Sequence, residues 1–331
     1  MDEVARLAGV SHQTVSRVLN DVPSVRPETR RRVLDAVEAL GYRRNVAARL
    51  LASARSNVVG VVTYGTAQYG PASVILGLQA AARTTPYELT FVGVSDISKD
   101  SFRAAVNQLL DRSVECLVLV LPHRSVLRWG RELEMDIPVV VVEGDLSAAP
   151  LTAGVDQATG ARMATRHLLD LGHETVAHLA GPPDWVEARA RRDGWLMELE
   201  DQGRPVLSVR WGGDWSARSG YETGRKLVRE PRVTAVFAAN DQMALGLIHA
   251  LREAGKRVPE HVSVVGFDDL PEAPYFAPPL TTIRQEFPEL GRRAMELVQR
   301  VLDGENDAAV PLVEPSLVVR SSTIPPGASL G

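Results

Sequence analysis

Four polar side chains project from the start of a predicted helix near the beginning of the chain: His12, Gln13, Ser16 and Arg17. Small hydrogen-bond donors and acceptors in the first turns of a helix suit the base edges in the major groove of DNA. For this segment alone, an ordinary helical hairpin with a solvated polar face is the alternative. The pattern indicates base recognition, and further features of the sequence are needed to decide between the two interpretations.

A helix-turn-helix pattern over residues 3–20 places these side chains on an exposed face. Gly9 permits a sharp turn after the first helix, and Ser11 is positioned to cap the second one. A third helix over residues 28–40, closed by Gly41, completes a small predicted core. The apolar residues of that core recur at helical spacing: Val4, Ala5, Ala8, Val15, Val18, Leu19, Val33, Val37 and Leu40.

The first 56 residues are basic, whereas the rest of the chain is acidic. They hold ten arginines and no lysine against six acidic residues, a net charge of +4. The remaining residues hold 27 basic and 35 acidic side chains, a net charge of −8. Clustered positive charge is what contact with phosphates requires. A solvated helix face explains Arg30, Arg31 and Arg32 equally well, so both interpretations of these three side chains stay open.

Length and composition indicate two or three globular domains, since the chain has 331 residues, of which 45% are hydrophobic and 24% are charged.

Cys116 is the only cysteine, which excludes a disulfide within the chain and a cysteine-rich zinc site. No apolar run approaches the ~20 residues of a membrane span, and the first residues do not resemble a signal peptide. We therefore expect a cytoplasmic protein without a membrane partner.

From Asn57 onward, apolar β-branched runs alternate with helical stretches. Runs of this kind are typical of parallel strands covered by helices on both faces. One set lies at 58–62, 89–94, 117–121 and 139–142, and a second set at 175–179, 206–209, 235–238 and 262–265. The alternation predicts two doubly wound α/β halves, between which the segments 280–283, 288–303 and 312–319 cross.

Polar residues stand just beyond several of these strands, where open α/β sheets bind their ligands. Carboxylate, amide and guanidinium groups that face an aromatic plane suit a sugar, because the polar groups bond its hydroxyls while the ring covers its apolar face. A helix cap or a surface side chain explains any single member equally well, and Asp214 and Asp241 fit caps. Together these residues favour a small-molecule pocket. They are Tyr64, Glu143, Arg191, Trp215, Asn240 and Asp268, with Thr63 and Asp269 beside them.

Motifs of enzymatic sites are missing from the sequence. It has no Gly-x-Ser-x-Gly elbow, no phosphate loop that ends in Gly-Lys-Ser/Thr, and no Gly-x-Gly-x-x-Gly fingerprint. His167, His173, His178 and His249 are scattered and lack the i, i+4 spacing of a helical metal pair. We therefore expect no catalytic residue, no metal site and no cofactor.

Six longer motifs, in this order, resemble one family of bacterial proteins. They are Val-Ala-Arg-Leu-Ala-Gly-Val-Ser (4–11), Gln-Thr-Val-Ser-Arg-Val-Leu-Asn (13–20), Gly-Asp-Trp-Ser-Ala-Arg-Ser-Gly (213–220), Ala-Asn-Asp-Gln-Met-Ala-Leu-Gly (239–246), Ser-Val-Val-Gly-Phe-Asp-Asp (263–269) and Pro-Pro-Leu-Thr-Thr-Ile-Arg-Gln (278–285). Through them the chain, from about Glu3 to Thr323, resembles the LacI/GalR family of transcription regulators.

The resemblance implies an N-terminal all-α helix-turn-helix head and an α/β core like that of periplasmic binding proteins, built from two doubly wound parallel-sheet subdomains. The implied segments are a head at 1–44, a hinge helix or linker at 45–56, a first core half at 57–155 and 287–314, and a second core half at 156–284 and 315–323. The tail 324–331 is expected to be disordered.

The resemblance also implies roles for individual residues. Operator contacts would come from Ser11, His12, Gln13, Thr14, Ser16, Arg17 and Asn20 in the head, and from Asn45, Ala48 and Leu51 in the hinge, where paired Leu51 side chains would wedge a base step. The effector pocket would consist of Tyr64, Glu143, Arg191, Trp215, Asn240, Asp268, Gln285 and Phe287. Arg44 stands where the family usually has a Pro, which removes a rigid start to the hinge helix. Glu143 stands where the family usually has an Asp, which leaves the sugar itself open.

The sequence therefore predicts a sugar-responsive transcriptional repressor without enzymatic activity. A homodimer would bind a palindromic operator in double-stranded DNA, and a galactoside-like sugar between the two core halves would release it. No apolar heptad follows Thr323, so a tetramer is not expected. Two alternatives stay open: a periplasmic-type sugar-binding protein without a DNA function, and a regulator of the same family that answers to a different small metabolite.

Overall fold

The computed structural model separates the chain into two units, residues 1–56 (the head) and residues 57–331 (the body). The described residues are 1–19, 24–42, 55–65, 67–121, 123–132, 135–143, 151–207, 211–305 and 308–328. The operator contacts that the sequence predicts at Asn20, Asn45, Ala48 and Leu51 lie outside them, as does most of the predicted hinge, residues 45–54.

The head is built from three short helices, α1 (Asp2–Ala8), α2 (His12–Leu19) and α3 (Pro27–Ala39). Gly9 ends α1 with a φ of 62°, and Ser11 Oγ accepts the Thr14 N–H at 3.2 Å. The predicted turn and the predicted cap are therefore confirmed. The buried side chains of the head are Val4, Ala5, Ala8, Val15, Val18, Val33 and Ala36.

Two residues of the third-helix segment differ from the sequence-based expectation. Leu40 does not close the core: α3 ends at Ala39, and Leu40 turns outward with 43% of its surface exposed. Tyr42 packs against the core instead. Arg32 is exposed, and its guanidinium donates to the carbonyls of Ala8 and Gly9 and so satisfies the end of α1.

The first half of the body is a parallel sheet in the order β2-β1-β3-β4-β5. The strands are β1 (Val58–Thr63), β2 (Glu88–Gly93), β3 (Cys116–Val120), β4 (Val139–Val142) and β5 (Thr152–Ala153). Helices α4 (Tyr69–Ala82), α5 (Lys99–Leu110) and α6 (Arg124–Glu132) follow the first three strands. Alternate side chains enter different cores: Val118 and Val120 of β3 pack on one face, and Leu117 and Leu119 on the other.

The second half is a sheet in the order β11-β10-β9-β8-β6-β7, parallel except for the antiparallel pair of β10 and β11. Its strands are β6 (Ala177–Ala180), β7 (Trp211–Gly212), β8 (Ala235–Ala238), β9 (Ser263–Asp268), β10 (Thr281–Arg284) and β11 (Ser316–Val318). Its helices are α7 (Gln157–Asp170), α8 (Val186–Asp201), α9 (Ala217–Leu227) and α10 (Asp241–Glu253), with a short 3-10 turn at Ala273–Tyr275. Of the strand predicted at 206–209, residues 208 and 209 lie outside the described residues; Val206 is exposed, and β7 is assigned to Trp211–Gly212.

The chain crosses between the halves after β5, after β10 and before β11. Helix α11 (Phe287–Leu302) returns to the first half and packs against α4 through Gly77 and Gly291, where a methyl group on either glycine would meet the backbone of the other helix. Val155 and Val313 then pair as a parallel bridge in the first half. These crossings bring residues of both halves to one cleft.

Ile324, the first residue of the tail predicted to be disordered, is bonded to the body. Ile324 exchanges hydrogen bonds with the Ser263 hydroxyl, and the Ile324 carbonyl also accepts from a ring nitrogen of His173. These bonds extend the edge of the second half by a short segment that composition alone would leave free. Within the described ranges, no helix is both long and apolar enough to cross a membrane.

Candidate functional site

The predicted pocket residues lie where the folding pattern places them, at the carboxyl ends of strands. Glu143 follows β4 in the first half, and Asp268 ends β9 in the second. Asn240 follows β8 and caps α10, because its Oδ1 accepts the Met243 N–H at 2.9 Å. Gln285 follows β10, and Phe287 begins α11. The ends of both sheets therefore face one cleft between the halves of the body.

Gln157, the first residue of α7, connects the two sides of this cleft. Its Nε2 donates to Glu143 Oε2 at 3.1 Å and to Gln285 Oε1 at 2.8 Å. Its Oε1 accepts from Arg191 Nε at 2.9 Å. Gln285 in turn donates to Asp268 Oδ1 at 2.7 Å. One continuous network thus joins four of the predicted residues, Glu143, Arg191, Asp268 and Gln285, through a glutamine that the sequence analysis missed.

Arg191 is the cation at the centre of the cleft. Its Nη1 donates to the Ala239 carbonyl at 2.5 Å and lies 3.5 Å from Asp268 Oδ1. The guanidinium carbon lies 3.8 Å from the centre of the Phe267 ring and 5.5 Å from that of Trp215. A guanidinium stacked on aromatic faces and bonded at its edges has a fixed orientation. Arg191 therefore presents a rigid donor surface to the cleft.

Three buried carboxyl groups surround this single cation: Glu143, Glu187 and Asp268. Burial raises the pKa of Glu143 to about 7 and that of Asp268 to about 6. Burial, followed by the charge of Glu143, raises the pKa of Glu187 well above its usual value. Removing charged groups from water disfavours their ionised forms, and like charges add to the effect. The cleft therefore holds more acidic groups than one guanidinium can neutralise.

Aromatic rings line the cleft beside these polar groups. Trp215 packs over Gly181, where a methyl group would clash with the indole, and Trp185 meets Trp215 edge to face at 5.8 Å. On the opposite side, Tyr69 meets Phe287 edge to face at 5.8 Å. The sequence-predicted Tyr64 lies farther out, with its ring 6.2 Å from that of Trp185. Polar groups beside flat apolar faces suit a polyhydroxylated ring.

Three site residues have the left-handed backbone that side chains rarely adopt: Glu143 with a φ of 59°, Trp215 with 74° and Asp268 with 109°. Such conformations cost on the order of 1–3 kcal/mol each and cluster at ligand sites. Each of the three follows or ends a strand, where the chain must turn sharply away from the sheet. The strain therefore lies at the residues that point into the cleft.

Three polar atoms around the cleft have no hydrogen-bond partner among the described residues: Gln68 Oε1, Glu187 Oε2 and Trp215 Nε1. Gln68 Oε1 is an acceptor and Trp215 Nε1 is a donor, whereas the Glu187 carboxyl, whose raised pKa favours the protonated form, can accept or donate. Buried polar groups are nearly always paired, and an unpaired one costs about 1–3 kcal/mol. The site is therefore built to receive hydrogen bonds from a molecule that offers both donors and acceptors.

The pH dependence of stability tests whether burial raises the pKa of Glu143. Because its pKa rises from the ordinary 4.5 to about 7, the folded protein binds the proton more tightly than the unfolded chain does. Between those values the unfolded chain loses the proton while the folded protein keeps it, so this contribution to stability falls as the pH rises from 4.5 to about 7. Glu143→Gln lacks the titrating group and should gain about 2–3 kcal/mol relative to the unsubstituted protein between pH 5 and pH 8. Unfolding curves of both proteins at both pH values measure the difference, and a pH-independent difference would contradict it.

In the head, α2 exposes His12, Gln13 and Arg17. Ser11 and Thr14 are also near the surface, but their hydroxyl oxygens lie 2.9 Å apart, and Ser11 caps the helix. Ser16 is half buried. Ser11, His12, Gln13 and Arg17 are therefore the exposed members of the predicted set, although Ser11 is engaged in the helix cap, whereas Thr14 and Ser16 are half buried.

His178, one of the histidines to which the sequence analysis assigns no function, is packed between aromatic rings of the body. His178 stacks between Trp195 and Phe237 at 5.3 and 4.7 Å, and burial lowers its pKa to about 4. Its Nδ1 lies 3.0 Å from the Phe237 carbonyl, so that nitrogen carries the proton. Within the described part of the chain, no group of three His, Cys, Asp or Glu side chains is arranged to hold a metal ion.

Two family models match the chain. "Bacterial regulatory proteins, lacI family" covers residues 1–45, and "Periplasmic binding protein-like domain" covers residues 165–323. The chain is 34% identical to the lactose operon repressor of Escherichia coli (strain K12), over 98% of this chain and 90% of that one. It is 36% identical to the regulator GalS of Salmonella typhimurium, over 97% and 95% of the two chains. It is also 33% identical to the repressor PurR of Photobacterium profundum, over 97% of both.

The chain is also similar to solved structures of bacterial regulators. The lac repressor dimer bound to operator and the anti-inducer ONPF matches with a TM-score of 0.88 at 33% identity, over 97% of this chain and 98% of that one. The complex of the regulator CelR with cellobiose matches with a TM-score of 0.72 at 32% identity, again over 97% and 98%. These similarities extend over the head and both halves of the body, and all of these relatives are regulators.

Proposed function

The chain belongs to the lacI family of bacterial regulatory proteins, and from this premise we propose that it is a homodimeric repressor released from its operator by a sugar. Membership makes it a DNA-binding transcriptional repressor with a small-molecule effector domain. We assign no catalytic residue and place the protein in the cytoplasm, where its operator is. Among residues the sequence singles out, the operator contacts proposed are those of α2, chiefly His12, Gln13 and Arg17.

The observation that carries the sugar assignment is the composition of the cleft. Carboxyl, amide and guanidinium groups converge there beside indole rings, and three polar atoms await partners. A neutral sugar supplies hydroxyls that both donate and accept, and its C–H face covers an aromatic ring. A galactoside-like ring is our preferred effector, bound by Glu143, Arg191, Trp215, Asn240, Asp268, Gln285 and Phe287, with Tyr64 at the margin.

The proposed mechanism follows from where these residues are attached. Glu143 and Phe287 belong to the first half of the body, whereas Arg191, Asn240 and Asp268 belong to the second. A ligand bonded to both halves stabilises one relative orientation of them over the other. We propose that this rotation changes operator affinity through the segment 45–56. Two heads are needed for a two-fold symmetric operator, so the acting species is a homodimer.

A regulator of the same family with a different small metabolite is the second candidate. The observation that favours it is that the identity to PurR, 33%, is close to that with the lactose operon repressor, 34%. The head argues against the third possibility, a periplasmic-type binding protein without a DNA function, because residues 1–45 match a regulatory-protein model.

Operator binding with and without sugars tests the proposal. We expect the purified full-length chain to select a palindromic duplex from a random pool and to bind it with two chains per duplex. At fixed salt, a galactoside should weaken that binding by at least about tenfold, a coupling of about 1.4 kcal/mol. The selected duplex with its two half-sites scrambled is the control. Failure to bind any duplex would refute the repressor, whereas release by a nucleobase but by no sugar would favour the second candidate.

A further inference from the structure

A small void in the cleft is lined by Glu143, which follows β4, and by Glu187, in the first turn of α8. Its volume is about 30 Å³, which is room for a group the size of one or two water molecules and far less than a sugar ring needs. We call it the inner void. Its other polar side chains are Gln157, Arg191 and Gln285, and the rest of its lining is apolar. Its size and lining suit one small polar or charged group.

Glu187 offers this void an acceptor that no described residue uses. It is 8% exposed, and its Oε2 has no hydrogen-bond partner among the described residues. Glu143 accepts the Val155 N–H on one oxygen and Gln157 Nε2 on the other, both at 3.1 Å. Each carboxylate oxygen can accept a second hydrogen bond. A group with several N–H donors in the inner void can therefore bond to both carboxyls.

The charges around the inner void do not balance. Arg191 is the only cation among the described residues that line it, and its Nη1 lies 3.5 Å from Asp268 Oδ1. That ion pair leaves Glu143 and Glu187 without a buried positive partner. Burial raises the pKa of both carboxyls, and the charge of Glu143 raises that of Glu187 further. Without a ligand the two groups therefore hold protons that a bound cation would displace.

Other charged side chains stand farther out. Arg124 and Arg189 border an adjoining outer cavity of about 470 Å³, which also touches the two carboxyls, and Asp156 and Asp193 border it as well. All four of these side chains are exposed or half buried, so water screens their charges. They also include both signs. The uncompensated charge is therefore confined to the two buried carboxyl groups.

We propose that the inner void binds an ammonium group, held by Glu187 and Glu143. Its N–H donors satisfy Glu187 Oε2, and its positive charge takes the place of a proton in the buried site. Two sources supply such a group: the amino group of an amino sugar, or a free ammonium ion that binds together with a neutral sugar. In both cases the ring lies beside the void, in the relative orientation of the two halves that the sugar stabilises.

Glu187 is then the residue that distinguishes a charged group from a neutral one. It lies in the first turn of α8, where the helix dipole favours a carboxylate, so loss of its proton is favoured as soon as a cation is beside it. This inference rests on the proposed sugar response and adds the charged group that the site selects.

Calorimetric titration of the full-length protein at about pH 7 tests the proposal with galactosamine, glucosamine and 6-amino-6-deoxygalactose. Galactose, glucose and the N-acetyl derivatives of the amino sugars are the uncharged probes. At least one amino sugar should bind about tenfold or more tightly than its uncharged counterparts, because a charge-assisted hydrogen bond is roughly twice as strong as a neutral one. If the ammonium is a free ion, galactose or glucose should instead bind about tenfold more tightly in ammonium chloride than in sodium chloride at the same ionic strength.

Proton release identifies the carboxyl groups. Binding of the ammonium group should release about one proton, measured as a difference in binding enthalpy between two buffers of different ionisation enthalpy, neither of them a primary amine. Glu187→Gln should remove both the tenfold preference and the proton release, and Glu143→Gln should reduce both. Glu200→Gln, the same substitution at an exposed position of α8, is the control and should retain both.

The outcomes separate this inference from the proposed function. Equal affinities for amino and neutral sugars, without any effect of ammonium ion, would overturn the ammonium site and leave the sugar response standing. A preference that survives in both Glu187→Gln and Glu143→Gln would overturn the location assigned here. Binding of none of the sugars, with operator binding intact, would overturn the sugar effector and the ammonium site with it. Melting curves check that each variant is folded, and the proton release of the unsubstituted protein tests the site without any variant.

Discussion

Alanine in place of Arg17 is expected to weaken operator binding by about 10- to 100-fold, the value of one good base contact. Arg17 is exposed on α2, away from the Val15 and Val18 side chains that hold this helix in the head. Removing it therefore deletes a contact without opening the core. Gln13→Ala should cost about 1–3 kcal/mol on the preferred operator and relax the choice of base at one position of each half-site.

Fluorescence anisotropy with a labelled operator, at a fixed salt concentration, measures both losses. Arg83→Ala is the matched control, because it removes the same charge from an exposed position of the body. It should leave operator affinity almost unchanged, which separates a local contact from the general attraction of a basic protein to DNA. Operator affinities that are unchanged in Arg17→Ala and in Gln13→Ala would refute the assignment of α2 as the recognition helix.

Arg32 shows why charge alone is an incomplete guide to the head. Counting arginines identifies a basic segment, but it does not distinguish Arg17 from Arg32, whose guanidinium is bonded to the end of α1. We therefore expect Arg32 to contribute to the stability of the head. The distinction depends on which helices pack together, and hydrophobic spacing along one helix does not contain that information.

The order and type of the elements in the body follow closely from the sequence. Apolar runs at 139–142 and 235–238 coincide with β4 and β8, because a strand covered on both faces needs an unbroken apolar segment. Helices start near the predicted residues where Ser98, Asp156 and Ser216 supply caps. The sequence did not reveal β5, since a strand of two residues is too short to show a period.

Because β5 was not predicted, Gln157 was left out of the predicted site. Without that strand, nothing marked Gln157 as the residue beyond a strand end, although it connects Glu143, Arg191 and Gln285. Glu187 was detectable in principle, because its i, i+4 spacing from Arg191 places the two on one face of α8. Trp185 required knowledge of which loop packs against Trp215 at the edge of the cleft. Contacts between residues of different loops depend on the tertiary fold.

Substitution of Asp268 is expected to abolish or strongly weaken the response to the sugar. Its Oδ1 accepts from Gln285 and lies 3.5 Å from Arg191, and its side chain lines the cleft. We expect Asp268→Asn to weaken sugar binding by about tenfold or more, because the amide replaces one charged acceptor with a weaker acceptor and a donor. We expect Asp268→Ala to abolish sugar-induced release altogether. Operator binding without sugar should change little in Asp268→Asn.

The stability of Asp268→Asn separates a binding role from a structural one. Burial raises the pKa of Asp268 to about 6, so the folded state does not depend on its negative charge, and the amide Oδ1 can still accept from Gln285. Asparagine also tolerates the positive φ of 109° better than alanine does. Asp269→Asn is the matched control, because Asp269 forms ion pairs with Arg284 and Arg320 and its loss should lower stability. Sugar titration, operator binding and a melting curve distinguish the cases. A stably folded Asp268→Asn protein that binds sugar normally and is still released from the operator would exclude Asp268 from the pocket, and with it the centre of the proposed effector site.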